Sequence, residues 1–352
     1  MNARPALDRS AGFQTCRIAD FQIGRPSNRP PASGLETCDT ADLEVCATAL
    51  GPARCELTRR DFIRGAALCA VVGGLAAAES SATGAAPKTQ AKPAGRGLID
   101  TNVTLGRWPF RRVPLDDTPA LAAKLRQHGV TQAWAGTFDG VFHKDLDAAN
   151  ARLAAECRKH GRGLLLPFGS VNPMLPDWEE DLQRCAGRHK MPGIRLHPNY
   201  HGYTLDDPVF AKLLSLATEH NLVVQIVADM EDERTQPPLA RVPHTDCPPL
   251  NAVLQSLPGA RVVLLNWFRP VKVALDKQLA AAGVCFDIAT LEGVGGVASL
   301  LDQIPADRVM FGSHAPLFYF ESAVLKLKES ALPAERERAV CSGNAQRLLL
   351  RL

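Results

Sequence analysis

The chain has 352 residues, of which 46% are hydrophobic and 22% are charged, and its formal net charge is +3. These values are typical of a soluble globular protein that can bury a full core. So small a net charge gives no reason to expect nucleic acid or an anionic membrane as a partner. No apolar stretch reaches the roughly 18 residues of a membrane span, so stable membrane insertion is not expected.

The amino-terminal part carries a leader and an export signal. Residues 1–57 are rich in Pro, Arg, Ser, Ala and Thr without any helical or strand period, which predicts a disordered leader. Residues 58–86 resemble a twin-arginine signal peptide, with Arg59, Arg60 and Phe62 before the apolar run 65–78. An ordinary amphipathic helix is the alternative. We therefore expect export to the periplasm by the twin-arginine machinery. Either the true translation start lies downstream of Met1, or the leader is removed with the signal.

Cysteine usage indicates neither a disulfide framework nor a zinc site. Five of the ten cysteines precede residue 87, and the other five are widely spaced without a C-x-x-C pattern: Cys157, Cys185, Cys247, Cys285 and Cys341. Cys285 falls within a strand pattern and is expected to be a small buried apolar residue. A single disulfide stays open as an alternative.

From Gly97 onward, short apolar strand patterns alternate with helical patterns. The strand patterns are 97–103, 131–137, 163–171, 193–197, 222–228, 261–266, 283–289 and 308–313. The helical patterns are 118–129, 147–160, 177–188, 207–220, 249–256, 271–281, 294–303, 319–330 and 333–350. Eight strands that are each followed by a helix predict an α/β fold, a (β/α)₈ TIM barrel, as a single domain over residues 97–352. An open doubly wound sheet is the competitor, but it requires a Gly-rich turn that residues 102–106 lack.

Polar residues follow the strands of this barrel, where barrel enzymes place their sites. Arg195 and His197 share one face of the fourth strand, and His201 lies four residues beyond. A structural Arg–His network is the alternative interpretation of this segment. The candidate catalytic residues are His197, His314, Asp287 and Glu231, and the candidate substrate-binding residues are Arg195, His201, Asn102, Asn266, Gln225, Arg107, Arg111, Arg234 and His143.

Four segments in this order resemble the amidohydrolase-2 branch of the amidohydrolase superfamily: 98–100 (LID), 193–198 (GIRLHP), 308–313 (RVMFGS) and 343–349 (GNAQRLL). The resemblance covers roughly residues 97–350. It implies a TIM barrel, and an activity among the decarboxylases, hydratases and lactonases of carboxylated substrates.

The chain departs from this family at the metal ligands that the resemblance would imply. The two histidines of the family's first strand are replaced by Asn102 and Thr104, the strand-six histidine by Asn266, and the final aspartate by His314. The strand-five histidine is missing as well. A divalent transition metal needs three or four convergent N, O or S donors. We therefore expect no metal cofactor, with a relocated site built from His197, His201, Asp287 and His314 as the alternative.

Without a metal to activate water, hydrolysis requires a general base and preorganised donors. Histidine suits proton transfer near neutral pH, and arginine binds carboxylates in a bidentate manner. The sequence therefore favours a metal-independent hydrolase of an ester, lactone or related bond in a small anionic substrate. The alternatives are a non-catalytic ligand-binding protein, a decarboxylase or lyase of the same branch, and a hydrolase with the relocated metal site. A homo-oligomer is left open.

Two loops have a second interpretation. The glycine amides of residues 292–297 can cradle a phosphate, although a tight turn that requires positive φ explains the glycines equally well. The segment 230–238 can act as a lid over the strand ends, although a solvated loop explains its composition equally well.

Overall fold

The structure is a computed structural model, and it describes residues 97–269 and 271–350. The predicted leader 1–57 and signal peptide 58–86 lie outside the described residues. Among the helices that the structure describes, none is both long enough and apolar enough to cross a membrane.

Eight parallel strands form one sheet in sequential order. They are β1 Leu98–Leu105, β2 Val130–Thr137, β3 Leu165–Ser170, β4 Gly193–Leu196, β5 Val223–Val227, β6 Arg261–Leu265, β7 Cys285–Asp287 and β8 Val309–Met310. The backbone N–H groups of Thr101 and Thr104 donate to Phe311 O and Ala315 O, each at 2.9 Å, and these bonds join β1 to the chain after β8. The TIM barrel is confirmed, and all eight strands lie where the sequence predicts them.

The helices lie between the strands. They are α1 Thr118–Gln127, α2 Asp139–Phe142, α3 Leu146–Glu156, α4 Trp178–Gln183, α5 Pro198–His201, α6 Pro208–Glu219, α7 Leu250–Ser256, α8 Val273–Ala281, α9 Gly296–Leu301, α10 Phe320–Ser330, α11 Ala334–Arg338 and α12 Asn344–Leu350. The helix α6 begins where the sequence predicts, because Asp207 accepts a hydrogen bond from Val209 N at 3.0 Å and Pro208 fits the first turn. The sequence does not predict the one-turn helices α2 and α5.

The strands separate two hydrophobic layers. Alternate residues such as Ile194 and Leu196 pack outward against the helices, while Trp134 and Phe168 stack inside the barrel with ring centroids 4.9 Å apart. This division follows from the two-residue period of a strand. Cys285 is buried in the inner layer as predicted, and all five cysteines of the described part are free thiols.

Candidate active site

Arg195 extends from β4 into the barrel interior and is bound by neutral oxygens. Its Nε donates to Gln225 Oε1 at 2.9 Å, its Nη1 to Val103 O and Thr104 Oγ1 at 2.9 and 3.0 Å, and its Nη2 to Trp134 O at 3.1 Å. Burial lowers the pKa of Arg195 to about 10, although Asp287 and Asp100 act in the opposite direction. These contacts fit a structural network that links β1, β2, β4 and β5, because most of the donors are committed to the barrel wall.

Asn102 on β1, Asn266 directly after β6 and Asp287 on β7 form a buried hydrogen-bonded triangle. Asn102 Nδ2 donates to Asp287 Oδ2 at 2.6 Å and to Asn266 Oδ1 at 2.8 Å. The backbone N–H of Asn266 donates to Asp287 Oδ1 at 2.9 Å. Burial raises the pKa of Asp287, against the effect of these hydrogen bonds. The structure thus brings these three predicted residues together, although they bind one another.

His314 follows β8 and lies beside this triangle. The Nε2 atom of His314 donates to Met230 O at 2.8 Å. Its Nδ1 atom accepts from Asn266 Nδ2 at 3.3 Å. Burial lowers the pKa of His314 to about 4, so the ring is neutral at pH 7. Both ring nitrogens are therefore engaged by protein groups. His314 and Asn266 have φ values of 57° and 58°, a left-handed conformation that costs a non-glycine residue on the order of 1 kcal/mol or more.

Asp100, on β1, is a buried carboxylate that sequence reasoning did not assign to the site. Its Oδ1 accepts from the backbone N–H groups of Asn102 and Ser313, each at 3.0 Å, and its Oδ2 accepts from Ser313 Oγ at 2.5 Å. Burial raises its pKa to about 7 despite these donors. Asp100 therefore ties β1 to the segment after β8 and holds His314 in place through its neighbour Ser313.

His197 and His201 lie at the two ends of the short helix α5, with ring centroids 5.8 Å apart. His201 Nε2 donates to Gly140 O at 3.1 Å, whereas the buried Nδ1 atoms of both rings have no hydrogen-bond partner in the described structure. Burial lowers the pKa of His197 well below its ordinary value and that of His201 to about 4. Both rings are therefore neutral at pH 7.

Glu231, in the loop that follows β5, is covered by the loop after β1. Trp108 Nε1 donates to Glu231 Oε2 at 3.1 Å, and Arg111 Nη1 donates to Glu231 Oε1 at 2.5 Å. Burial raises the pKa of Glu231, and Arg111 and Trp108 oppose this effect. Trp108 also packs within 6.4 Å, between ring centroids, of the aromatic side chains Phe110, Phe138, Phe142 and Tyr200. The two predicted residues Glu231 and Arg111 thus meet as an ion pair in this cover.

A cavity of about 590 Å³ opens beside Glu231, between the segments that follow β5 and β6. It is lined by Asp229, Glu231, Asp232, Glu233, Arg234, Gln236, Val242, Pro243, His244, Arg269 and Lys272. On its wall, His244 Nδ1 lies 2.7 Å from Asp229 Oδ2, and His244 Nε2 has no hydrogen-bond partner among the described residues. The imidazole packs on the indole of Trp267, with centroids 5.4 Å apart. The cavity therefore contains a carboxylate-oriented histidine.

The cations of this cavity differ in how they are paired. Arg234 and Arg269 lie 2.6 and 3.1 Å from Asp232 Oδ2, and hydrogen bonds from Arg234 lower the pKa of Asp232. Lys272 Nζ lies 5.2 Å from the ring centroid of Trp267 and forms no ion pair with a carboxylate of the described chain. An anionic ligand can therefore reach Lys272 without breaking an ion pair.

The remaining predicted residues lie on the outside of these groups. Arg107 is exposed, and the side chain of His143 is 51% exposed beside Asp139. The segment 230–238 contains the single turn Glu233–Thr235, and a second turn, Pro238–Ala240, begins at its end. Its movement as a lid stays a prediction.

The family model of the amidohydrolases matches residues 105–351. The chain belongs to the amidohydrolase family. This match confirms the resemblance that the sequence motifs indicate. A comparison with the sequences of curated proteins finds no match.

Solved structures of low sequence identity share the fold of this amidohydrolase. The 5-carboxyvanillate decarboxylase of Sphingomonas paucimobilis aligns with a TM-score of 0.58 and 14% identity, over 72% of this chain and 99% of the other. A 2,6-dihydroxybenzoate decarboxylase from Rhizobium aligns with a TM-score of 0.57 and 13% identity, over 73% of this chain and 99% of the other. The dihydroxybenzoic acid decarboxylase of a Polaromonas species aligns with a TM-score of 0.56 and 13% identity, over 72% of this chain and 97% of the other. That structure was solved with bound manganese.

The donor set of this amidohydrolase does not fit such a metal at the positions that the resemblance implies. The amide of Asn102 binds Asp287 and Asn266, and Thr104 Oγ1 accepts from Arg195. Among the described residues, no three or more His, Cys, Asp or Glu side chains are grouped so that they could hold a metal ion. The alternative ligand set His197, His201, Asp287 and His314 is not among such groups in the described part, and His314 Nε2 donates to Met230 O.

Sequence reasoning missed His244 and Asp229 as a pair. Asp229 directly follows the fifth strand pattern, and His244 lies between prolines in a segment without strand or helix period. The two meet because the chain after β5 returns to its own strand end, where Thr245 N donates to Ala228 O at 3.2 Å. A lone histidine of this kind gives no sequence signal for its partner.

Proposed function

We propose that this amidohydrolase hydrolyses an activated ester, lactone or related bond of a small anionic substrate without a metal ion, in the cavity between the segments after β5 and β6. The observation that carries the proposal is the His244–Asp229 pair on the cavity wall, with 2.7 Å between Nδ1 and Oδ2. The family supports an enzymatic role, because its known members are enzymes.

The pair supplies a general base. Since a carboxylate only accepts, Asp229 fixes the proton of His244 on Nδ1 and leaves Nε2 as the proton acceptor. This nitrogen is buried and has no protein partner among the described residues, so it would accept a hydrogen bond from the attacking water once that water enters beside it. His244 would remove a proton from that water as its oxygen attacks the substrate carbonyl, and return the proton to the leaving oxygen as the bond breaks. Asp229 would stabilise the imidazolium in between.

The cations of the cavity give the preference for an anionic substrate. Lys272 lacks a carboxylate partner in the described structure and would bind the substrate carboxylate. Arg269 shares Asp232 with Arg234 and would stabilise the oxyanion that develops at the carbonyl. Positively charged groups in a partly enclosed cavity act more strongly than in bulk water, because the surroundings screen them less.

The lack of a suitable ligand set among the described residues restricts the substrate. General-base catalysis contributes about 10²–10⁴-fold in rate, so the bond must already be activated, as it is in a strained lactone or an aryl ester. The residues at the centre of the barrel also support an activated substrate, because Asn102, Asn266 and Asp287 bind one another and do not offer free donors to a ligand.

A panel of carboxylated lactones and aryl esters, with 2,6-dihydroxybenzoate as a decarboxylation substrate, tests this proposal on protein purified with a chelator. We expect hydrolysis of at least one ester or lactone, and a decrease in kcat of about 100-fold or more for His244→Gln. The matched control is His220→Gln, because His220 is exposed at the end of α6. Hydrolysis that survives in His244→Gln contradicts the assignment of the base. Decarboxylation without hydrolysis, or binding without turnover, favours the alternatives named from the sequence.

A further inference from the structure

A second cavity, of about 440 Å³, lies between the loops that follow β7 and β8. Its wall includes Arg269, Thr290, Ser322 and Lys326, together with the turn at Gly293. Gly293 and Gly295 have φ values of 96° and 65°, so the tight-turn explanation of these glycines is confirmed. None of the residues assigned to the hydrolytic reaction, other than Arg269, lines this second cavity.

Lys326 is a cation on this wall without a carboxylate partner at hydrogen-bond distance in the described chain. Its Nζ donates to the carbonyl oxygens of Ile288 and Ala289, at 3.2 and 2.5 Å. An ammonium group has three donors, so one donor is left over. Desolvation lowers the pKa of Lys326, and Arg269 acts in the same direction, whereas Asp287 and Glu292 oppose it. A partly buried cation with a second cation nearby favours an anionic ligand.

Thr290 provides an independent observation. The residue is 6% exposed and lines the cavity, and its Oγ1 has no hydrogen-bond partner among the described residues. A buried hydroxyl without a partner costs about 1–3 kcal/mol, so such groups usually face water or a ligand. An oxyanion would accept a hydrogen bond from it.

The acidic residues of the wall do not cancel this charge. Glu292 lies 2.9 Å from Arg269, which therefore neutralises it. Glu329 is exposed, so water screens its carboxylate. In barrels of this kind, the loops after strands seven and eight frequently form a phosphate site.

We propose that the cavity between the loops after β7 and β8 binds a small oxyanion, with Lys326 as its counter-charge and the Thr290 hydroxyl as a hydrogen-bond donor. The ligand class is a phosphate or carboxylate group. Arg269 lines both cavities, but the proposal does not depend on the hydrolytic one, since it is tested by binding rather than by turnover.

The experiment is isothermal titration of the purified full chain with inorganic phosphate at constant ionic strength, with acetate as a second arm. We expect an anion-binding step whose affinity falls about tenfold or more in Lys326→Gln and about threefold or more in Thr290→Val. The matched control Lys328→Gln removes an exposed charge from the same helix and should bind like the wild type.

The outcomes are distinct. Tighter binding of phosphate identifies a phosphoryl ligand, and tighter binding of acetate identifies a carboxylate. No binding of either anion by the wild type at millimolar concentration overturns the proposal. So does an equal loss in Lys328→Gln, which would indicate unspecific surface charge. If Lys326→Gln does not fold, as judged by circular dichroism, the decision rests on Thr290→Val, and unchanged binding there refutes the site.

Discussion

Replacing Asp100 by asparagine should flatten the dependence of folding stability on pH. The folded-state pKa of Asp100 is raised by burial from 3.8 to about 7, so the folded protein binds this proton more tightly than the unfolded chain does. The resulting stability is fully present below the ordinary pKa and is lost as the pH rises through about 7. At 1.36 kcal/mol per pKa unit, the total loss in the free energy of unfolding is about 4 kcal/mol. About 2.5 kcal/mol of this loss falls between about pH 5 and about pH 8.

The substitution is suited to this test because asparagine preserves the shape of the site. Its Oδ1 can still accept from the N–H groups of Asn102 and Ser313, and its Nδ2 can donate to Ser313 Oγ, whose hydroxyl then rotates. The amide that replaces the carboxyl group never ionises, so the pH-dependent loss at this position disappears.

The assay is urea unfolding of wild type and Asp100→Asn, followed by circular dichroism at several pH values between about 5 and 8. The pKa values of His201 and His314 are lowered to about 4, so these groups give stability that is present above about pH 6.5 and lost toward pH 4. The informative quantity is therefore the free-energy difference between the two proteins, which should rise by about 2.5 kcal/mol in favour of the variant across the range. A difference that is constant with pH would refute the reasoning, because Asp100 would then ionise in the folded state as it does in the unfolded chain.

Two further predictions concern stability alone. Gly312→Ala should lower the free energy of unfolding by about 1–3 kcal/mol, because the added Cβ would lie 2.7 Å from the Cβ and Oδ2 of buried Asp287. The control Gly187→Ala has open space around the added Cβ and should change stability little. Equal unfolding midpoints of the two variants would contradict this packing argument. Asp207→Ala should lower the free energy of unfolding by about 1 kcal/mol, because it removes the N-terminal cap of α6. Asp177→Ala removes no cap hydrogen bond and should lower it less in the same urea titration. The reverse order would count against the capping argument.

The barrel itself could be predicted because its signals are local. Apolar runs of strand length alternate with helical segments, and the inner and outer layers follow the two-residue period. Arg195 and Asp287 accordingly face the barrel interior. The clustering of Asn102, Asn266 and Asp287 followed from the rule that parallel strands end at one rim.

The partners within the site could not be predicted in the same way. Arg195 is satisfied by backbone carbonyls, and any residue type supplies a carbonyl, so the sequence does not reveal that the guanidinium is committed. His314 is a catalytic candidate by sequence, but the sequence does not show that its two ring nitrogens contact Met230 O and Asn266 Nδ2, since these contacts depend on a left-handed backbone. His244 reaches Asp229 only through the path of an irregular loop.

The measurement that tests the central claim most directly is the metal dependence of turnover on the best ester or lactone of the panel. Chelated wild-type protein should hydrolyse it at the same rate before and after manganese is added, because the side chains at the family's metal positions are hydrogen-bonded to other protein groups. Activity that appears only with manganese would contradict the account, because a metal ion would then activate the water instead of the His244–Asp229 pair.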